Sequence, residues 1–451
     1  MFPRSLITLL LCVTAALLPR LASAVCDIPQ MGQITLAERI RDLEVIDDYV
    51  YLAAGYDGLL IVDVSDPSTP FVSGSLEVDG FFQDVEVVGS IAYVAASHFE
   101  YPGGLLVIDV YDPQAPVELG RVGQSFTRVD LQDGLAYATS PASGLHIIDV
   151  SNPTDPFEVG ALDLPGDESD VHVAGDLAYL PLGSSNQSST LRIVDVSDRM
   201  APVEAGSIET GNKLPFDIEV NNGIGYVPVI GTASRGLMVY DVADPAAPVE
   251  LAFLVQPSAR DVRVMDQRVY FAFGTDVSFG GSGSGIRVID ASLITTPVVV
   301  GGVDSAIVEA AALDVVEDTD GHWVYVGTSG PGGGLQIFRV SNCPTVLPAF
   351  LMPSSQQNEV PLTANTPVPM GFFGSPSLDV TKFDLASLAI GPAGAPAMTE
   401  PGYEVITGDF SADGFDELVL HFRANEVGLS ADAQQLCLEG IYDGSAFLAC
   451  D

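Results

Sequence analysis

The sequence predicts an all-β protein, a seven-bladed β-propeller followed by a small β-sandwich-like domain. A segment of about ten residues recurs seven times over residues 58–342, and β-prone runs alternate with turn signals inside each repeat. From about residue 347 the repeat stops and a different β-rich pattern begins. Four short strands in every 40 to 50 residues are typical of a propeller blade. We therefore assign residues 25–346 to the propeller and residues 347–451 to the second domain.

The first 24 residues, MFPRSLITLLLCVTAALLPRLASA, combine a basic start, an apolar run and a small-residue cleavage site. Arg20 interrupts the apolar run, whereas a membrane-spanning helix needs about 20 apolar residues. We interpret residues 1–24 as a signal peptide cleaved after Ala24. The protein is expected to be secreted, extracellular or periplasmic, with no membrane insertion.

The recurring segment first appears as GLLIVDVSDP at residues 58–67. Its further copies are GLLVIDVYDP (104–113), GLHIIDVSNP (144–153), TLRIVDVSD (190–198), GLMVYDVADP (236–245), GIRVIDAS (285–292) and GLQIFRVSN (334–342). The acid that six copies share is Asp63, Asp109, Asp149, Asp195, Asp241 and Asp290, with Arg339 in the seventh copy. Turn residues follow these acids, so we expect their carboxylates to stabilise turns and blade packing.

Each repeat contains four β-prone runs, of the form D-V-x-V, x-Y-V-A, L-x-I-V-D-V and P-V-x-x-G. Gly, Asp-Pro and Asn-Gly turn signals separate the runs. The seventh repeat lacks its fourth run, and matching text, PQMGQITL, occurs at residues 29–36. We therefore expect the N-terminal strand to complete the seventh blade and close a ring without exposed edges.

The core motif L-x-I-V-D-V resembles the LVIVD-repeat family over residues 28–343, with good matches in six of the seven copies. The resemblance implies a propeller fold in an exported bacterial or archaeal protein. A WD40 propeller is disfavoured, because no Gly-His and Trp-Asp signature occurs and the chain has one tryptophan, Trp323.

Four cysteines remain after Cys12 leaves with the signal peptide, and an even number in an exported chain indicates disulfides. Cys26 precedes the N-terminal strand and Cys343 follows the third strand of the seventh blade, so strand completion predicts a Cys26–Cys343 bond. Cys437 and Cys450 would then join across a short terminal hairpin.

The C-terminal domain resembles a β-rich module of exported bacterial proteins over residues 358–450, in which a D-x-N-x-D-G calcium loop precedes a D-L-V-L-H-F-R strand. Calcium requires several hard oxygen ligands. The matching ligands are Asp409, Ser411, Asp413, the carbonyl of Phe415, and Glu417. The alternative to this calcium site is an unoccupied Asx turn.

Side chains alternate along the innermost strand of each blade, which borders the central tunnel. One set is apolar and should pack between blades: Leu43, Val85, Val129, Val171, Ile218, Val262 and Val315. The other set forms a mouth tier, Asp42, Asp84, Arg128, Asp170, Asp217, Asp261 and Asp314, and an inner tier, Glu44, Glu86, Asp130, His172, Glu219, Arg263 and Val316. Either these acids bind a cation, or each mouth aspartate accepts hydrogen bonds from a neighbouring blade and locks the two together.

The net charge of −43 disfavours binding to nucleic acid and to anionic lipid, and favours cations. No sequence motif of a nucleophilic, zinc-peptidase or phosphate-binding enzyme occurs. Among the five histidines, only His98 and His172 have positions that suggest a functional role. A monomer is expected.

We expect a non-enzymatic extracellular binding scaffold whose partner is a protein, a glycan or a small cationic ligand. Recognition is expected at the tunnel mouth, beside the long loops at residues 97–104, 183–190 and 274–285. The residues assigned to it are Asp84, Asp170, Asp217, Asp261, His98 and His172. The alternatives are a calcium-dependent hydrolase or lyase that uses the tunnel, and a purely structural surface component.

Overall fold

Each sequence repeat folds into one antiparallel sheet, and seven such sheets are present in residues 26–346. The computed structural model describes residues 25–36, 39–97, 103–164, 167–168, 170–183, 189–231, 235–257, 259–274, 284–305, 310–319, 321–329 and 333–346, and only the strands beyond residue 349. No helix occurs in these described residues, so none of them forms a membrane-spanning helix. The all-β prediction and the seven-bladed propeller are both confirmed.

The strands of the first five blades follow one another along the chain. The first strand is β1 (Gln30–Thr35). Blades one to three contain β2 (Asp42–Ile46), β3 (Tyr49–Ala53), β4 (Leu59–Asp63), β5 (Phe71–Leu76), β6 (Phe81–Val88), β7 (Ile91–Ser97), β8 (Gly104–Asp109), β9 (Val117–Val122), β10 (Arg128–Gln132), β11 (Leu135–Ser140), β12 (Gly144–Asp149) and β13 (Phe157–Leu162). Blades four and five have a divided innermost strand and contain β14 (Asp167–Glu168), β15 (His172–Ala174), β16 (Leu177–Gly183), β17 (Ser189–Asp195), β18 (Val203–Gly211), β19 (Leu214–Pro215), β20 (Glu219–Asn221), β21 (Ile224–Ile230), β22 (Gly236–Asp241) and β23 (Val249–Val255).

The last two blades differ in how they are completed. Blade six is contiguous, and blade seven supplies only three consecutive strands. These strands are β24 (Ala259–Met265), β25 (Arg268–Phe273), β26 (Ser284–Asp290), β27 (Val298–Ser305), β28 (Ala310–Asp318), β29 (Gly321–Thr328) and β30 (Gly334–Val340). The fourth strand of blade seven is β1, which pairs antiparallel with β30 from Gln30↔Phe338 to Thr35↔Gly334. The prediction that the N-terminal strand closes the ring is confirmed.

A disulfide secures this closure. Cys26 and Cys343 are bonded, with Sγ atoms 2.08 Å apart. Beside the bond, Asp27 pairs with Ser341 in an isolated antiparallel bridge. The two ends of the propeller are therefore joined by backbone hydrogen bonds and by a covalent bond.

The C-terminal unit contains two further antiparallel sheets. After the short β31 (Thr345–Val346), its strands are β32 (Phe350–Leu351), β33 (Pro367–Phe372), β34 (Phe383–Ile390), β35 (Ala395–Pro396), β36 (Ile406–Gly408), β37 (Glu417–Arg423), β38 (Cys437–Tyr442) and β39 (Ser445–Cys450). One sheet has the order β32-β33-β37-β36, and β39, β38, β34 and β35 are neighbours in the other. Cys437 and Cys450 are Cα partners across the β38–β39 hairpin, and their side chains lie outside the described residues.

The hydrophobic core lies between neighbouring blades. One cluster joins Tyr51 and Ile61 of blade one to Phe82, Val85 and Val94 of blade two, all of them at least nine-tenths buried. Val85 and Val94 are Cα partners on the two inner strands of blade two, so their side chains share one face of the sheet. Burial of both sheet faces explains why the inner strands read as nearly continuous apolar runs.

A second packing device is the glycine of the P-V-x-x-G run. A Cβ atom on Gly74 would lie 2.0 Å from the carbonyl oxygen of Pro113, which belongs to the Asp-Pro turn of the next blade. The same relation joins Gly32 to Pro67 and Gly206 to Pro245, at 1.8 and 1.7 Å. Glycine is required because the next blade's backbone occupies the place of a side chain.

The acids of the third strands stabilise turns, as expected. The Asp63 Oδ1 atom accepts a hydrogen bond from the Ser65 backbone N–H at 3.0 Å. The corresponding bonds occur at Asp109, Asp149, Asp195, Asp241 and Asp290, at 2.9 to 3.0 Å.

Candidate ligand site in the central tunnel

The innermost strands surround a tunnel cavity of about 240 Å³. Ten carboxyl groups line it: Asp42, Glu44, Asp84, Glu86, Asp130, Asp170, Asp217, Glu219, Asp261 and Asp314. His172 and four arginines, Arg41, Arg128, Arg260 and Arg263, also line it. The structure therefore brings together every tunnel residue that the sequence assigned to ligand binding, namely Asp84, Asp170, Asp217, Asp261 and His172.

In blade seven the predicted tier positions are wrong by two residues along the strand. In the other blades the inner-tier residue pairs with the tyrosine of the second strand, as in Glu44↔Tyr51 and Arg263↔Tyr270. In blade seven this partner of Tyr325 is Asp314. Asp314 therefore belongs to the inner tier rather than the mouth tier.

Three further positions in blade seven shift with Asp314. Ala312 takes the mouth position, opposite Gly327, and Leu313 takes the apolar position predicted for Val315. Val316 does not occupy the inner tier. A bulge between Ala310 and Ala312 accompanies this register.

The mouth aspartates connect successive blades through backbone hydrogen bonds. The Oδ2 atom of Asp42 accepts from Val85 N–H at 3.0 Å, and Oδ2 of Asp84 accepts from Val129 N–H at 2.6 Å. Three further aspartates accept in the same way through Oδ2. They are Asp170, Asp217 and Asp261, which accept from the backbone N–H groups of Ile218, Val262 and Leu313 at 3.3, 2.6 and 2.6 Å. Arg128, in blade three, instead places its Nε 3.8 Å from Asp170 Oδ1. Locking of blade to blade, one of the two alternatives, thus accounts for one oxygen of each mouth acid.

The inner tier repeats this connection one layer deeper. Glu219 accepts a hydrogen bond from Val264 N–H, and Asp314 from Val45 N–H, both at 2.8 Å. The Asp314 bond links blade seven to blade one, so it closes the ring at tunnel level. Glu44 and Asp130 accept equivalent bonds from Val87 and Val173.

Arg263 partly neutralises the acids between the two tiers. Its Nη1 lies 2.9 Å from Asp261 Oδ1, and its Nε lies 4.0 Å from Asp314 Oδ1. Ten carboxyl groups face four guanidinium groups around the cavity, so negative charge predominates if the acids are ionised.

Burial raises the pKa of several tunnel acids. The pKa of Asp170 is raised to about 6, and burial is the main cause. Those of Glu44, Glu219 and Asp261 are raised to about 8, again mainly by burial. The pKa of Asp217 is raised well above its usual value by burial and by the Asp170 carboxyl group. Without a cation, several of these carboxyl groups therefore keep a proton at neutral pH.

His172 occupies the inner tier beside an acid. Its Nδ1 lies 3.8 Å from Asp130 Oδ2. Burial lowers the pKa of His172, with the Asp130 carboxylate opposing the shift. His172 is therefore a neutral imidazole near neutral pH.

Arg41 and Arg260 belong to the cavity wall but were not assigned from the sequence. Each directly precedes a mouth aspartate, and each guanidinium lies over an aromatic ring, Phe81 for Arg41 and Phe216 for Arg260, at 4.8 and 5.8 Å. The sequence feature that could have identified them is the Arg-Asp pair, which recurs at the innermost strand of blade one and of blade six.

Several predicted functional residues lie outside the described residues. These are His98, most of the loops at 97–104, 183–190 and 274–285, and the calcium-loop residues Asp409, Ser411, Asp413 and Phe415. Glu417 begins β37, where its backbone pairs with Gly408, and its side chain is not described.

Seven antiparallel blades around a polar tunnel define the protein as a β-propeller repeat protein. Residues 39–78, 79–124, 127–163 and 165–210 match the family model of the LVIVD repeat, one match for each of the first four blades. The chain therefore carries four LVIVD repeats within a seven-bladed propeller, and the resemblance noted in the sequence is confirmed for these blades.

Solved structures support the fold alone. The chain is similar to the WD40 β-propeller domain of Doa1, with a TM-score of 0.52, 11% identity, and coverage of 69% of this chain and 96% of that one. It is also similar to the β-propeller domain of Myceliophteria thermophila Cps50 (Swd1), with a TM-score of 0.53, 11% identity, and coverage of 70% and 100%. A chain of the Mitotic Checkpoint Complex gives a TM-score of 0.53 at 10% identity, with coverage of 70% and 94%. No curated protein sequence matches this chain significantly.

Proposed function

We propose that this protein is an exported, non-enzymatic binding scaffold whose propeller binds a cation, or the cationic group of a ligand, in the acidic tunnel. The observation that carries the proposal is the cavity lined by ten carboxyl groups and four guanidinium groups. A charged funnel with low-dielectric walls concentrates ions of opposite sign. Export is supported by the signal-peptide pattern of residues 1–24 and by the Cys26–Cys343 disulfide.

Blade locking and cation binding are compatible in the same side chains. The hydrogen bonds to the next blade use Oδ2 of Asp42 and of Asp84. The Oδ1 atom of each carboxyl group takes no part in these two bonds. Asp42 and Asp84 lie on neighbouring blades and interact electrostatically, and hard carboxylate oxygens of this kind are ligands of calcium.

A binding role is favoured over a hydrolase or lyase that acts through a serine, threonine or cysteine nucleophile. Among the described residues of the cavity wall there is one histidine, His172, and no serine, threonine or cysteine. The imidazole therefore has no hydroxyl or thiol nucleophile beside it in this wall.

The test is a Ca²⁺ titration of the full chain at pH 8, where acids with a pKa of about 8 are substantially ionised. Asp42→Asn combined with Asp84→Asn should weaken Ca²⁺ binding by about tenfold or more, because affinity follows the number of charged ligands. The asparagine oxygen can still accept the hydrogen bond of the next blade. Glu77→Gln with Asp79→Asn removes the same charge from exposed positions and serves as the control.

Equal Ca²⁺ affinity in the tunnel variant and the control variant would overturn the tunnel site. A third variant, Asp409→Ala with Asp413→Ala, tests the calcium loop that we propose for the C-terminal domain. It should remove a separate Ca²⁺ site and leave the tunnel site unchanged. Full retention of Ca²⁺ stoichiometry in this variant would rule out the loop.

A further inference from the structure

A second group of metal-ligating side chains lies where blade six meets blade seven. Asp266 is in the β24–β25 turn, and Glu317 and His322 are Cα partners in the β28–β29 hairpin. One ligand atom from each of these three residues lies within 4.8 Å of the others. Because the turns follow the innermost strands, this group lies at the end of those strands opposite the tunnel mouth.

The His322 imidazole is fixed in orientation before any ligand binds. The side chain is only 5% exposed, and its Nδ1 is hydrogen-bonded to the hydroxyl group of Tyr270, which is itself 1% exposed. Its Nε2 faces the Asp266 carboxylate. A histidine whose second nitrogen is held by a hydrogen bond is the usual arrangement of a metal ligand.

The spacing of the ligand atoms fits an ion better than a direct hydrogen bond. His322 Nε2 lies 3.5 Å from Asp266 Oδ2, which is long for a hydrogen bond. Two ligands bound tetrahedrally at about 2.0–2.1 Å from zinc are roughly 3.3–3.4 Å apart. A shared ion would therefore require little movement of either side chain.

The chemistry of the group favours Zn²⁺ over Ca²⁺. Imidazole nitrogen suits zinc, whereas calcium takes oxygen ligands. The nearest opposing charge is the guanidinium of Arg268. The two carboxylates outweigh the single charge of Arg268.

This combination departs from the repeat. The position of His322 corresponds to Asp48, Ser90, Gly134, Asp176, Gly223 and Gln267 in the other six blades. Asp266, in contrast, has counterparts with the same positive φ in Asp47, Asp133 and Asn222, at 52° to 56° for the four residues. The aspartate is therefore a recurrent turn residue, and the histidine is specific to the last blade.

We propose that Asp266, Glu317 and His322 bind a Zn²⁺ ion that ties blade six to blade seven. Three protein ligands leave a fourth position for water. The ion would stabilise the junction next to the blade that the N-terminal strand completes. This site is independent of the tunnel and of the function proposed for it.

The test is Zn²⁺ binding to the metal-free full chain, measured by calorimetry and by the visible absorption of Co²⁺ in place of Zn²⁺. The wild type should bind with a rise in Tm, since binding to the native state stabilises it. Asp266→Asn and Glu317→Gln should each weaken binding by roughly tenfold or more, because changes even in the residues behind a ligand cost that much. Asparagine tolerates the positive φ of Asp266, so this variant keeps the turn.

Asp133→Asn is the matched control, because Asp133 occupies the same turn position in blade three at a φ of 55°. It should bind Zn²⁺ like the wild type. Equal Zn²⁺ affinity in the Asp266→Asn, Glu317→Gln and Asp133→Asn variants would overturn the site and leave His322 as a histidine satisfied by Tyr270 and Asp266. If the wild type binds Zn²⁺ but its Co²⁺ spectrum does not show ligation by nitrogen and oxygen, the proposed set of ligands would be overturned.

Discussion

At the scale of single residues, the carboxyl group of Asp217 shows how the tunnel is built. It accepts hydrogen bonds from Ile218 and Val262, at 2.7 and 2.6 Å. It also lies against the carboxyl groups of Asp170 and Asp261, which hydrogen-bond to it. Two carboxyl groups in contact share a proton more readily than they ionise together. A cation in the tunnel would replace such protons.

This arrangement predicts a pH dependence of stability in metal-free protein. Acids whose pKa is raised in the folded state bind more protons folded than unfolded, so the free energy of unfolding falls as pH rises toward the folded pKa. For Glu44, Glu219 and Asp261 that pKa is about 8. The lowered pKa values of His172 and His322 act in the opposite sense, but only below their usual value of 6.5. Stability should therefore fall between pH 6.5 and pH 8.

The measurement is the denaturation midpoint at several pH values in chelator and in Ca²⁺. If Ca²⁺ binds the ionised tunnel carboxylates, the midpoint should fall less with rising pH in Ca²⁺ than in chelator. A midpoint that rises with pH over this interval in chelator would contradict the prediction.

At the scale of strands and turns, the sequence predicts six blades in full and the seventh with an error. The D-V-x-V run is unambiguous in most repeats, and alternation then assigns each side chain to the tunnel or to the core. In blade seven the run LDVVED offers acids in more than one register. Only the pairing of Asp314 with Tyr325 decides between them, and pairing depends on the folded sheet.

The glycine contacts between blades, in contrast, leave no chemical signal in the sequence beyond their recurrence. A glycine at a fixed place in a repeat is also what a turn or a bulge would produce. The partner of Gly74 is a carbonyl oxygen of the next blade, and its position follows only from blade packing. The same holds for the Asp266, Glu317 and His322 group, because Asp266 belongs to a different repeat from Glu317 and His322.

The turn-to-glycine contact predicts that Gly74→Ala destabilises the propeller. The added Cβ would lie 2.0 Å from Pro113 O, so the two blades must separate. We expect a loss of about 1–3 kcal/mol in the free energy of unfolding, as for other overpacked sites. Gly123→Ala is the control, because a Cβ there meets nothing within 4 Å. Equal stability of the two variants in chemical denaturation would argue against this role for the glycine.

At the scale of the whole molecule, the ring depends on its two ends. Cys26 and Cys343 are 317 residues apart in sequence and joined in the fold. In the chain-entropy description, closing a loop of that length stabilises the native state by roughly 6 kcal/mol. Cys26→Ser combined with Cys343→Ser should therefore lower the denaturation midpoint of the oxidised protein markedly.

The control is Cys437→Ser combined with Cys450→Ser, which should leave the propeller transition in place. Reductant should lower the midpoint of the wild type and leave that of the Cys26→Ser, Cys343→Ser variant unchanged. The same midpoint for this variant and the oxidised wild type would mean that strand pairing alone holds the ring.

The pairing of β1 with β30 also fixes an order of events during synthesis. Blades one to six are each made from one continuous stretch, so each can form once its own four strands have emerged. The strand that emerges first must wait for a partner about 300 residues later, and contacts of such long range form slowly. Until then a nascent propeller has two open sheet edges, and it offers them to any other strand within reach. The last blade is therefore a checkpoint, because only a chain that retains β1 and has already gained β30 can close the ring.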